Sequence, residues 1–188
     1  MTRDEAWGIL NEYTKSESLI RHALAVEGAM RGAAKRQGAD ELVWGLVGLL
    51  HDLDYERWPD PKDHTAQAAR ILGELDVDQE IIEAILSHAP WNWDRYPLDR
   101  PIRKTLFAVD ELSGFVMAVA YVRPDGLTGM KASSVKKKMK QKSFAAAVSR
   151  DDLRQGAVLM GCPLEEHIEF VIHDLSGIAP QLGFERGS

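Results

Sequence analysis

The sequence predicts an all-α protein, a single-domain helical bundle, on three observations. Apolar residues recur at three- and four-residue spacing along almost the whole chain. No segment sustains the two-residue alternation expected of a half-buried strand. Helix-starting residues stand just before the periodic runs, as Ser16, Asp40, Asp63 and Pro101 do.

Taken in order, Arg3 to Tyr13 places Ala6, Ile9, Leu10 and Tyr13 on one face. Ser16 caps a long helix to about Gln37, with Leu19, His22, Val26, Ala29, Met30 and Ala33 aligned. Asp40 caps the next, from about Glu41 to Asp52. Its run Leu42 to Leu50 is apolar all round, so this helix is central. After a turn with Pro59 and Pro61, Asp63 caps a helix whose face is His64, Ala68, Ile71, Leu72 and Leu75. Val77 to His88 repeats the pattern with Ile81, Ala84, Ile85 and His88. A polar, aromatic loop from Ala89 to Arg100 leads to Pro101, which suits a first helical turn. That helix runs to about Val122 with Leu106, Phe107, Asp110, Gly114, Met117 and Tyr121 inward. Pro124 to Thr128 breaks it. Two or three short helices fill Ser133 to Met160, and a last one spans Pro163 to about Leu182.

Length and composition suit one buried core: 188 residues, 45% hydrophobic, formal net charge −6. We expect one domain over residues 1–188, with a helical core from about 16 to 124 and a helical extension from about 131 to 184. The acidic balance argues against a stable nucleic-acid complex. A single cysteine, Cys162, excludes a disulfide framework and points to a reducing compartment. No stretch has the length and apolarity of a membrane span, and the N-terminus has no apolar signal core. The expectation is a cytoplasmic protein with no membrane partner; the sequence does not set its oligomeric state.

Six ligand-type side chains interrupt the apolar stripes or end them: His22, His51, Asp52, His64, His88 and Asp110. A buried polar group is costly without a partner. Asp52 also falls at the carboxyl end of the central helix, where the macrodipole opposes an anion. A bound cation removes that objection. Taken singly, such a histidine is more often a core residue bonded to a carbonyl. Four of the six histidines on inward faces, with two aspartates, shift the balance towards a metal. Nitrogen and oxygen ligands without thiolate suit a divalent Mn, Fe, Co, Ni, Zn or Mg ion. The set exceeds what one tetrahedral zinc ion needs. A bridging Asp52 would let it hold two ions about 3.5–4 Å apart. His167 and His173, on the last helix, read as structural or surface residues.

The order His22, then His51-Asp52, then Asp110 resembles the HD-domain superfamily of metal-dependent phosphohydrolases. The run His51-Asp52-Leu53-Asp54-Tyr55-Glu56 looks like its small bacterial members, as do His64-Thr65-Ala66-Gln67-Ala68-Ala69-Arg70-Ile71-Leu72 and Ala84-Ile85-Leu86-Ser87-His88. His64 and His88 match the extra histidines of the binuclear, HDIG-like branch, although Leu53-Asp54 stand where that branch has Ile-Gly. Val109-Asp110-Glu111-Leu112 matches the last metal aspartate. The similarity runs from about Leu19 to Tyr121. It implies an all-helical HD-type fold, one or two divalent ions, Asp52 as the catalytic bridging carboxylate, and hydrolysis of a nucleotide or another small phosphate ester, whether monoester or diester.

Other residues flank this set. Asp54 and Glu56 suit orienting the histidines or moving protons, although an acidic solvated loop explains Glu56 as readily. Trp91, with Trp58, Trp93 and Tyr96, either offers a wall for a planar group or closes the core. Lys131, Lys138 and Lys142 are spaced so that a subset can share a helical face in a lysine-rich segment, where they either clamp phosphate or face water. Two other functions remain open: a di-iron oxygenase on the same kind of scaffold, and a non-catalytic metal- or nucleotide-binding module.

Overall fold

The computed structural model describes residues 1–184; residues 185–188, the end of the expected domain, lie outside the described residues. The described residues form α1 (Arg3–Tyr13), α2 (Glu17–Gln37), α3 (Glu41–Leu50), α4 (Ala66–Glu74), α5 (Gln79–Ser87), α6 (Pro101–Tyr121), α7 (Ala132–Met139), α8 (Arg150–Leu159) and α9 (Leu164–Gly177). Short 3-10 turns cover Pro90–Asn92 and Ala179–Leu182. No strand is present among the described residues.

Local chemistry sets most of the starts. Thr2 and Glu5 form a capping box on α1. One carboxylate oxygen of Asp40 accepts from the Leu42 and Val43 amides at 2.8 and 3.1 Å. Asp78 caps α5 and Ser149 caps α8 in the same manner. Pro101 occupies the first turn of α6.

Two starts differ from the sequence expectation. Ser16 makes no side-chain cap on α2. Glu56 supplies that cap from the loop after α3, accepting from the Lys15 and Ser16 amides at 2.7 and 3.0 Å. Glu56 therefore serves a helix terminus and does not face the histidines. The helix expected to open at Asp63 starts at Ala66, because Thr65 has φ 66° and breaks the run. His64 sits in the turn before it. Tyr121, expected inward, is 53% exposed at the end of α6.

Helix α2 is the hub, packing against α3, α6 and α9, while α6 carries α8, α7 and α5. One hydrophobic cluster runs from Ala6 to Leu182, so the C-terminal helices share the core. Helices α2 and α3 cross with their backbones nearly in contact, and Gly48 permits it. A Cβ there would lie 2.8 Å from Val26 O and 2.9 Å from Glu27 Cα. The backbones meet where any side chain would hold them apart. This crossing sets His51, three residues beyond Gly48, beside His22, with ring centroids 5.2 Å apart.

Gly48→Ala should therefore separate the two helices. We expect a loss of about 1–3 kcal/mol, the usual range for overpacking a core, and a melting temperature lower by several degrees. Thermal denaturation checks this; an unchanged midpoint would mean that α3 shifts without cost.

Candidate metal centre

Five segments deliver the six residues. His22 is one turn into α2, His51 caps the end of α3 with Asp52 beyond it, His64 precedes α4, His88 ends α5, and Asp110 is midway along α6. Their side chains meet. His22 Nε2 lies 3.0 Å from Asp110 Oδ1 and 3.9 Å from Asp52 Oδ2. His51 Nε2 lies 3.4 Å from each of Asp52 Oδ2 and Asp110 Oδ1. His64 Nε2 and His88 Nε2 each lie 3.5 Å from Asp52 Oδ1. The two oxygens of Asp52 thus face two groups: His22, His51 and Asp110 on one side, His64 and His88 on the other.

The far ring nitrogens fix the tautomers. A carbonyl or carboxylate oxygen only accepts, so each nitrogen bonded to one must carry the proton. His51 Nδ1 donates to Gly48 O at 2.8 Å and His88 Nδ1 to Ile85 O at 2.8 Å. His64 Nδ1 donates to Asp54 Oδ1 at 2.9 Å, and Asp54 Oδ2 accepts the Ala68 amide at 2.8 Å. Each neutral ring then turns an Nε2 lone pair towards Asp52. Lone pairs facing a carboxylate repel it unless a positive charge lies between them. His51 Nε2 is fully buried with no hydrogen-bond partner. Such an orphan is rare in a folded protein, and a cation suits it.

The electrostatics agree. Burial resists charging His51, but Asp52 and Asp110 outweigh it and hold its pKa well above the ordinary histidine value. Burial also resists charge on His88, and Asp52 overcomes it. Burial opposes ionisation of Asp52 and Asp110 too. Imidazoles prevail in both: His51 and His88 depress Asp52, and His51 and His22 depress Asp110. The site demands positive charge, and a proton or a divalent ion meets that demand. Within each of two groups, His22–His51–Asp52 and Asp52–His64–His88, one ligand atom per residue lies within 4.8 Å of the others. The donors fit a divalent metal.

The HD domain family profile matches residues 19–113, which span α2 to the middle of α6 and hold all six residues. The chain belongs to the HD domain family. HD domains bind divalent metals and are mostly metal-dependent hydrolases. No solved structure matches the chain. No helix among the described residues is long and apolar enough to cross a membrane.

The expected substrate residues are spread out. Trp91 packs its ring 6.1 Å from His64, centroid to centroid, and is 51% exposed. Lys138 lies over Phe144 and hydrogen-bonds Gln141. Lys131 precedes α7 and Lys142 follows it, both exposed. Among the described residues no hydrogen bond or ion pair joins these lysines to the six groups. Of the two late histidines, His167 is buried with Nε2 donating to Ala108 O at 2.9 Å, and His173 is exposed.

Three residues that sequence reading passed over shape the centre. Asn92 Nδ2 donates to Thr65 Oγ1 at 3.0 Å and to Leu86 O at 2.9 Å. It ties the segment holding His64 to the helix that ends in His88. Thr65 is β-branched, fully buried and has positive φ. That conformation costs on the order of 1–3 kcal/mol and persists only where the surroundings impose it. Nothing local in the sequence signals it. Glu111, beside Asp110, reaches solvent as a residue, yet desolvation of its carboxyl and the charge of Asp110 push its pKa up to about 7. Its position directly after an inward aspartate was the available signal.

If each group holds one ion, Asn92→Ala should weaken one ion by about 10–100-fold, the usual effect of removing a supporting hydrogen bond. The His22–His51–Asp110 side should keep the other. Calorimetric titration with Mn checks this; two ions bound with unchanged affinity would show that Asn92 does not position the histidines.

Proposed function

We propose that the chain is a metal-dependent phosphohydrolase with a binuclear centre, acting on a nucleotide or another small phosphate ester. The observation that carries this is the division of Asp52's oxygens between two sets of imidazole nitrogens. His22, His51 and Asp110 would hold one ion and His64 and His88 the other, with Asp52 shared. Divalent ions there supply Lewis acidity towards phosphate oxygens and lower the pKa of a bound water.

The chain's own groups do the rest. Gly48, Ile85 and Asp54 fix the imidazoles before substrate arrives, so little reorganisation remains for the reaction. Glu111 is our choice of proton donor, on its place directly after Asp110 on α6 and on the desolvation that disposes its carboxyl to hold a proton. Trp91 at the exposed face of His64 offers the substrate an apolar edge. Lys131, Lys138 and Lys142 remain our candidates for phosphate contact, with Lys136, held by Glu165 at 2.6 Å, as a control.

The test is a panel of phosphorylated metabolites and nucleotides, assayed with Mn, Co, Ni, Mg and Fe added to metal-free protein. We expect phosphate release with at least one metal. Oxygen uptake with Fe and no phosphate release would favour an oxygenase.

Two substitutions sharpen it. Asp52→Asn should keep the fold and abolish turnover, with lower metal content by elemental analysis; near-native rates would remove Asp52 as the bridge. Glu111→Gln should keep both ions and lower kcat by roughly 100-fold or more, the usual contribution of a positioned acid. A native kcat would assign the proton to another group.

A further inference from the structure

A cleft of about 560 Å³ lies among α6, α8 and the loop after His88, lined by Trp93, Phe107, Asp151, Asp152, Gln155 and neighbouring apolar residues. That volume is in the range of small-molecule sites. Two of its walls are keyed to the ligand residues. Trp93 Nε1 donates to Ser87 O at 2.9 Å, and Ser87 precedes His88. Phe107 is one helical turn before Asp110 and Glu111 on α6. Trp93 and Phe107 meet edge to face, with centroids 5.7 Å apart, and form a rigid apolar corner.

The lining charge is informative. The cleft holds no Lys or Arg side chain. Arg154 neutralises Asp151 at 2.7 Å, while Asp152 makes no ion pair among the described residues. An anionic group would be repelled here. A planar group with an N–H donor would stack on Trp93 or Phe107 and donate to Asp152 or to the Gln155 amide oxygen. We infer that this cleft is the subsite for the leaving group, and that it takes a planar, uncharged group carrying an amine donor. The inference rests on the phosphohydrolase reading above and narrows it: the substrate's phosphate stays at the metals and its organic part carries no further negative charge. Trp93, rather than the more exposed Trp91, is then the stacking residue.

The probe is adenosine, an uncharged amine-bearing nucleoside without phosphate, titrated into metal-free protein. The readout is the Trp93 indole N–H signal in NMR, identified by its loss in Trp93→Phe. We expect adenosine to shift that signal. Purine riboside, the same ring without the amine, should bind about tenfold more weakly, as loss of a hydrogen bond to a charged acceptor predicts. Asp152→Asn should erase most of that difference, and Trp93→Ala should weaken adenosine about tenfold or more. Trp93→Phe keeps the apolar corner and should bind adenosine nearly as well by calorimetry, which separates lost stacking from lost folding. Lys137→Ala, on the exposed side of α7, should change nothing. Equal binding of both nucleosides, or adenosine affinity untouched by Trp93→Ala and Asp152→Asn, overturns the inference. If no phosphate ester is turned over with any metal while adenosine still shifts Trp93, the hydrolase reading fails and the cleft stands as a ligand site. If esters are turned over and adenosine leaves Trp93 unmoved, the subsite alone fails.

Discussion

The crossing of α2 and α3 at Gly48 is the constraint on which the site depends. Without a Cβ at that point the two backbones come into contact, and His51 reaches His22 across them. The same glycine's carbonyl takes the His51 Nδ1 proton and aims the other nitrogen inward. One residue therefore sets both the distance between two helices and the tautomer of His51. The remaining groups arrive on helices that pack against this pair, α5 on α3 and α6 on α2.

What gathers at the crossing is electrostatically incomplete. Asp52 stands at the carboxyl end of α3, where the helix dipole is itself negative. Asp110 adds a second carboxylate, and a third, Asp54, supports His64 from behind. Three of the facing imidazoles, His51, His64 and His88, commit their Nδ1 protons to the far side. Charging a buried imidazole is unfavourable, yet the paired carboxylates reverse that preference at His51. A centre built in this way favours whatever brings positive charge to the Nε2 atoms, so metal binding and folding are linked.

The loops around the centre are irregular in backbone but firmly held. Asp54 pins the turn containing His64 and the Ala68 amide in the first turn of α4. Asn92 pins Thr65 and Leu86, and Trp93 pins Ser87. The aromatic loop that follows His88 is thus registered on the segments that carry His64 and His88, although it has only one 3-10 turn.

The sequence by itself determined the helical class, the span of most helices and the six polar residues that converge on one point. Helix periodicity comes from contacts between residues three and four apart, which any reader of the chain can count. Histidine or aspartate in an apolar stripe is likewise a local contradiction that needs a partner. The tertiary structure decided the rest through bonds between residues far apart in the chain. Glu56 caps a helix that starts forty residues earlier, so its neighbours gave no clue to its role. Helix α4 starts late because the non-local grip of Asp54 and Asn92 on its first turn accompanies a positive φ at Thr65. The sharing of Asp52 between two groups follows from where α5 and the turn before α4 set His88 and His64. No periodic pattern encodes that, because it is a property of how the helices cross.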